Sequence, residues 1–229
     1  MIKIVQSGNT GDSRYLIEMH RFRAKIFMEK MGWDVQVDQN GLETDQFDCP
    51  EAAYFLALDD QQQVIGTWRL VPTTLPTMIA EVWPQFLNSI TIPSHPYIWE
   101  ASRFAVSSPK GATREGLAEV NRATQELFVA LTEACMLCGI SEVYTLYDER
   151  IGRLIRRLAC DPYKVSADLP VDENLSRVGA FRTDAQMLQG IRAKCSEQFP
   201  AIQLKDLPPC LLALRKDLMP EPFAISARG

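Results

Sequence analysis

The sequence predicts an α/β fold, a three-layer α/β/α sandwich around a mixed central sheet. Three observations carry that reading. Apolar residues switch between the strand period and the helix period along the chain, the early strands follow one another through short turns, and the later ones are separated by a long helix. With 229 residues and 46% hydrophobic content, one core is enough. Residues 1–229 are read as a single domain, with a tail from about 207 of unassigned role.

The elements follow in order. Residues 2–6 read as a strand, and residues 13–31 as a helix with Leu16, Met19, Phe22, Ile26 and Phe27 at apolar spacing and Gly32 as a stop. Residues 33–50 are polar, acidic and aperiodic, a loop long enough to suggest function. Residues 53–58 and 64–71 form two strands joined by Asp59–Gln63, and Pro72 and Pro76 break the pattern. Short helical turns are expected over 78–88 and a strand over 97–106. The longest helix spans 113–138, with Leu117, Val120, Leu127, Phe128, Leu131 and Ala134 on its apolar side. A strand at 142–147, a basic helix at 149–159, one or two short strands and a helix capped by Thr183 complete the pattern.

Composition narrows the function. A net charge of -5 argues against a nucleic-acid partner, which needs a basic field. The first strand is not followed by a glycine-rich phosphate loop, which argues against dinucleotide and P-loop enzymes. Six cysteines include Cys135-Met-Leu-Cys138, but no histidine or second such pair completes a zinc site, so two buried thiols and no metal are expected. A run of about 18 apolar residues is missing, as is a signal-peptide pattern at Met1–Gln6, so a cytoplasmic protein without a membrane partner is expected.

The informative residues are charges lodged in apolar segments. Arg23 lies inside the first helix, Arg69 inside Gly66–Val71, and Glu100 and Arg103 inside Tyr97–Val106; Glu43, Asp45 and Asp48 punctuate the long loop. Charges in apolar strands are rarely buried unless paired, so this set is expected to compensate itself around a cleft. Solvated edge strands, or a buried ion network without catalytic role, are the bland alternatives. On a regular strand Glu100, Ser102 and Phe104 share one face and Arg103 points to the other, so Glu100 and Arg103 reach one site only through a β-bulge.

These residues also match a family. Arg23-x-x-x-Phe27, Met31-Gly-Trp-Asp-Val35, Glu43-x-Asp45-x-x-Asp48, Thr67-Trp-Arg-Leu-Val-Pro-Thr-Thr74 and Glu100-Ala-Ser-Arg-Phe-Ala-Val106 keep the order and approximate spacing seen in LuxI-type acyl-homoserine-lactone synthases, which the chain resembles. The resemblance implies a GNAT N-acyltransferase-like fold and two substrates, S-adenosylmethionine and an acyl thioester. No cofactor is implied. The donor the resemblance implies is usually acyl carrier protein and, in some members, acyl-coenzyme A. The amine of S-adenosylmethionine attacks the thioester, and its carboxylate then closes the lactone and displaces methylthioadenosine.

The resemblance also suggests roles. Glu100 is the first candidate for the base and Glu43 the second, with Arg103 beside them as a catalytic candidate. Arg23 or Arg103 would bind the carboxylate. Asp45, Asp48, Arg69, Ser102 and Phe104 would complete the S-adenosylmethionine site, with Phe27 and Trp33 covering the sulfonium or adenine if they are not simply core. The acyl chain would run between the long helix and the later strands, past Phe128, Leu131 and Thr145; a threonine in the family's Tyr-Thr strand accompanies 3-oxo chains. Arg150, Arg153 and Arg157 share a helical face that suits an acidic carrier protein. Ala159-Cys160 departs from the glycine and aromatic common in the family at that point. Two rival readings are an ordinary GNAT-type N-acyltransferase using acyl-coenzyme A and a non-catalytic ligand-binding module. The nearest string to the GNAT phosphate loop, Gln63-Val-Ile-Gly66-Thr-Trp68, ends in tryptophan, which counts against the first.

Overall fold

The computed structural model of the chain describes residues 1–107 and 114–218, without the side chains of residues 10, 30, 114–120 and 216–218. The expected apolar positions Leu117 and Val120 therefore lie outside the described side chains. The strands are β1 (Ile2–Gln6), β2 (Ala53–Leu58), β3 (Val64–Pro72), β4 (Ile98–Val106), β5 (Glu142–Asp148), β6 (Lys164–Val165), β7 (Leu169–Val171) and β8 (Asn174–Arg182). The α-helices are α1 (Ser13–Ala24), α2 (Met78–Val82), α3 (Arg114–Cys138), α4 (Glu149–Arg157), α5 (Ala185–Lys194) and α6 (Pro209–Leu218).

The strands form one sheet in the order β1-β2-β3-β4-β5-β8-β6, with β7 also on β8. The pairings are antiparallel except β4 with β5, whose connection is the crossover helix α3. That single crossover makes the sheet mixed, as expected. Helices α3, α4 and α5 bury their apolar stripes on one face, where Leu127, Phe128, Leu131, Ile155 and Ile191 meet Phe55, Trp68, Leu70 and Trp99. Helix α1 covers the other face over β2, and α2 with the turn that follows it covers the same face over β5 and β8. Among the described residues no helix is long and apolar enough to cross a membrane.

Several element predictions need correction. The first helix is regular only to Ala24; residues Lys25–Lys30 widen into a π-turn that carries Phe27 inward before Gly32 (φ 69°) reverses the chain. Strand β8 is nine residues long rather than a short strand. Helix α5 is capped by Asp184, whose side chain accepts from Met187 N at 2.8 Å, while Thr183 instead donates its hydroxyl to Ile140 O. Part of the tail is ordered as α6, with Leu211 in the core and Arg215 donating to Leu137 O at 2.9 Å. Cys135 and Cys138 are buried on α3, and burial pushes the Cys138 thiol up to about 11.

Two irregularities position the site. Between Thr67↔Ala105 and Arg69↔Ser102 the register of β3 on β4 shifts, so Trp68 alone opposes both Arg103 and Phe104. This is the bulge that the spacing of Glu100 and Arg103 requires, and Arg103 occupies its left-handed position with φ 56°. A branched-chain or other non-glycine residue there costs about 1–2 kcal/mol, a strain that marks a residue held for its side chain. Beside it, β4 and β5 pair only over Ile98–Glu100 and Glu142–Tyr144. Beyond that point the strands part, and the sheet opens.

Candidate active site

The bulge resets the alternation of β4. Trp99 and Ala101 face α3, whereas Glu100, Ser102 and Arg103 all turn toward the loop and α2. Phe104 then returns to the α3 face, edge-on to Trp68 at 5.0 Å between ring centres and to Phe128 at 5.9 Å. This corrects the expected place of Phe104 beside Ser102: the extra residue sends it to the opposite face.

On the loop face three arginines and three carboxylates interlock. Arg23 donates through Nε to Glu43 and through both terminal nitrogens to Asp48, at 2.7 and 3.1 Å. Arg69 Nη1 reaches Asp45 at 2.5 Å and Asp48 at 2.9 Å, and its Nε donates to Ser102 Oγ at 3.1 Å. Arg103 Nη2 pairs with Glu43 at 3.1 Å and Asp45 at 2.7 Å. Each acid is thus shared between arginines, and the formal charges of the set cancel. Arg23, Arg69 and Glu43 are 0% exposed. The loop is held by the same set: Asp48 Oδ2 accepts from the backbone N of Asp45 at 2.9 Å, and Asp45 Oδ1 from that of Phe47. Carboxylates that tie a loop to buried arginines explain why an aperiodic segment is ordered.

Burial alone would raise the Asp48 carboxyl, but the guanidiniums of Arg23 and Arg69 hold it far below the usual carboxylate range. Two supporting residues escaped the sequence reading. Tyr54 donates its hydroxyl to Asp48 at 2.9 Å, and His20 Nδ1 lies 2.7 Å from the Glu43 carbonyl oxygen, which can only accept. Burial, with Arg23 nearby, lowers the His20 pKa, so the ring is a neutral donor. A tyrosine in a strand and a histidine in a helix carry no pattern that would have singled them out.

Glu100 stands apart from this network. Its two carboxylate oxygens accept from the backbone N of Met78 at 3.0 Å and Ile79 at 2.9 Å, at the start of α2. Burial pushes its pKa up, opposed by those hydrogen bonds and by Arg69.

One cavity of about 1000 Å³ joins the two faces through the opening between β4 and β5. On the loop side it is lined by Phe27, Trp33, Asp45, Glu100, Ser102 and Arg103, and on the helix side by Phe104, Phe128, Leu131, Thr145, Tyr147 and Phe181. Phe27 is stacked flat on Trp33, 5.1 Å between centres, with the Arg103 guanidinium 5.5 Å from its ring centre. Its ring is therefore already occupied, while Trp33 remains 39% exposed.

The expected site residues thus divide. Arg23, Glu43, Asp48 and Arg69 do not line the cavity; they form the wall behind it, and the nitrogens of Arg23 are given to Glu43, Asp48 and the Met19 sulfur rather than to open space. Arg103, by contrast, lines the cavity, with its own nitrogens on Glu43, Asp45 and the Met78 sulfur. On α4, Arg150, Arg153 and Arg157 are all exposed; Arg150 lines the cavity and donates to Asp148 at 2.9 Å, so only Arg153 and Arg157 lie wholly outside it.

With this geometry in hand, comparison with known proteins is specific. The family model described as autoinducer synthase matches residues 9–189. An acyl-homoserine-lactone synthase of Aliivibrio fischeri is 34% identical over 143 residues, covering 62% of this chain and 72% of that protein. One from Pseudomonas aeruginosa is 31% identical over 185 residues, 79% of this chain and 89% of that protein. Among solved structures, the CoA-dependent acyl-homoserine lactone synthase BjaI with SAM and isopentyl-CoA superposes with a TM-score of 0.73 over 94% of this chain and 99% of that chain; at 24% identity it is a likeness of fold.

Proposed function

We infer the reaction from one premise: the chain belongs to the autoinducer synthase family. It is an acyl-homoserine-lactone synthase, a transferase that makes a quorum-sensing signal. The observation that carries the assignment of roles is the cavity itself, with a charged end on the loop face and an apolar end on the helix face, joined through the sheet. Two unlike substrates that must react with each other need such a channel.

S-adenosylmethionine occupies the charged end. Arg103, set on the bulge with its guanidinium turned to the cavity, takes the carboxylate. Asp45 faces the cationic groups, and the open face of Trp33 covers the sulfonium or adenine. Ser102, whose Oγ already accepts from Arg69, keeps its hydroxyl proton for a substrate acceptor. The acyl thioester lies with its chain along Phe104, Phe128 and Leu131. Glu100 lines the junction, and its raised pKa suits a base that receives the amine proton directly or through water. The amine nitrogen bonds to the thioester carbon and the C–S bond breaks, the carrier leaving as thiol. The carboxylate oxygen then bonds to the γ-carbon, and the electron pair of the breaking C–S⁺ bond stays with sulfur, releasing neutral methylthioadenosine. The second step is chiefly positioning, which the buried network behind Arg103 and Asp45 supplies.

Mixing the protein with S-adenosylmethionine and a panel of acyl donors, and following lactone and methylthioadenosine by mass spectrometry, tests this reading. Transfer to some other amine without methylthioadenosine release would refute it.

Acyl carrier protein is the donor we favour. Arg150 stands at the cavity while Arg153 and Arg157 continue outward along the same exposed face of α4, a basic track on an acidic protein. Charge reversal at Arg153 and Arg157 is expected to raise KM for acyl carrier protein about tenfold or more at low salt, with much less effect on acyl-coenzyme A. Equal effects on both donors would place docking elsewhere.

Thr145 offers a hydroxyl on the helix side of the cavity, among the residues that line it with Phe128 and Leu131. Thr145→Val is expected to slow turnover of 3-oxo-acyl donors relative to unsubstituted ones by about 3–10-fold, the worth of one hydrogen bond of about 1 kcal/mol. Unchanged discrimination between the two donor types would make Thr145 a plain strand residue.

A further inference from the structure

We propose that Gly179 sets the depth of the acyl pocket, by leaving the space over β8 into which the rings of Tyr147 and Phe181 fold. The inference rests on the assignment of the apolar end of the cavity to the acyl chain. A glycine inside a nine-residue strand weakens it, and usually marks a close approach. Here a Cβ on Gly179 would stand 2.8 Å from Phe181 Cε2 and 2.8 Å from Tyr147 Cε1. Both rings are buried, lie 6.2 Å apart between centres and line the cavity.

The backbone at this point has little freedom to retreat. Gly179 pairs with Thr145 on β5 and with Val165 on β6, so the ladder holds it on both sides. Phe181 pairs with Val143, one inward-facing step from Thr145 along β5, and Tyr147 is the next such residue in the other direction. The two rings therefore flank the position opposite Thr145, and the open space next to them is the cavity. A methyl group at 179 drives them into it. The pocket wall is thus set by a residue that touches no substrate, so Gly179 is a positioning residue.

The test uses the full-length chain and a graded series of saturated acyl donors, with kcat/KM for lactone formation measured for each. Gly179→Ala is expected to shift preference toward shorter chains, lowering kcat/KM for the longest accepted donor relative to the shortest by about tenfold or more. Phe181→Leu, which removes a ring instead of displacing it, is expected to move preference toward longer chains. Opposite shifts in the two variants support the proposal. If Gly179→Ala lowers kcat/KM for all chain lengths alike, or Phe181→Leu leaves the preference where it was, the proposal is overturned while the synthase reading stands. Should Gly179→Ala not fold, the direction of the Phe181→Leu shift decides. Absence of lactone from every donor with the unaltered protein would overturn both.

Discussion

Replacing Arg23 by methionine is expected to lower the unfolding free energy by about 3–5 kcal/mol, because it leaves buried carboxylates without their counter-charge. For a chain of this size that corresponds to a fall in Tm of roughly 6–20 °C. The reason lies in the wall behind the cavity. Arg23 is 0% exposed, and its nitrogens serve Glu43 and Asp48, which are themselves buried or nearly so. Arg23→Lys keeps the charge but not the two-pronged contact to Asp48, and should fall between the two. The pH dependence follows from Asp48. Its folded pKa is depressed, so its contribution is fully present above the ordinary carboxylate range, from about pH 5, and is lost as pH falls toward the depressed value. Wild-type protein should therefore lose stability steeply below about pH 4, and Arg23→Met should show a shallower slope. Thermal melts of the three proteins across that range decide the matter. A Tm for Arg23→Met within a degree or two of wild type would mean that the network is not the support it is taken to be here.

Glu100→Gln is expected to reduce the rate of lactone formation by about 10²–10⁴-fold, the usual worth of a positioned base. Because Glu100 also anchors the start of α2 through Met78 and Ile79, the amide would turn an N–H toward a backbone N–H, at a stability cost of about 1–3 kcal/mol. Stability and rate must therefore be measured together. The pH profile separates the two roles. Burial raises the Glu100 pKa, so activity should fall as pH drops through a value above the ordinary glutamate range, where the base becomes protonated. In Glu100→Gln that acid limb should vanish, whereas mere loosening of α2 would lower the profile without changing its shape. Persistence of the limb would shift the base to another group. Glu43, the second candidate, does not line the cavity, whereas Glu100 does.

Much of the protein can be read along the chain, for local reasons. The strands at 53–58 and 64–71 are marked by short apolar runs between turn residues, because both their faces are buried, and the long helix by its periodicity. The charged set was conspicuous because ions in apolar strands are costly unless paired, and all six members of the loop network are indeed paired with one another. Even the bulge was foreseeable, since two charges three apart cannot otherwise share a strand face. Tyr54 and His20 were not, because a hydrogen bond to a distant carboxylate leaves no trace in the residues around it.

The sequence by itself thus determined the α/β class, the family and the charged residues that belong together. Only the tertiary structure decided which way each of them faces and what it is bonded to. The extra residue in β4 is opposed by Trp68 of β3, and that pairing, set by strand register, turns Arg103 toward the loop side of the cavity and Phe104 toward its helix side. Burial then separates Arg23, Glu43, Asp48 and Arg69, which spend their hydrogen bonds on the wall, from Asp45, Glu100, Ser102 and Arg103, which line the opening. Charge is a property of a residue and is visible in the chain; which side of a wall it faces depends on neighbours far away in sequence.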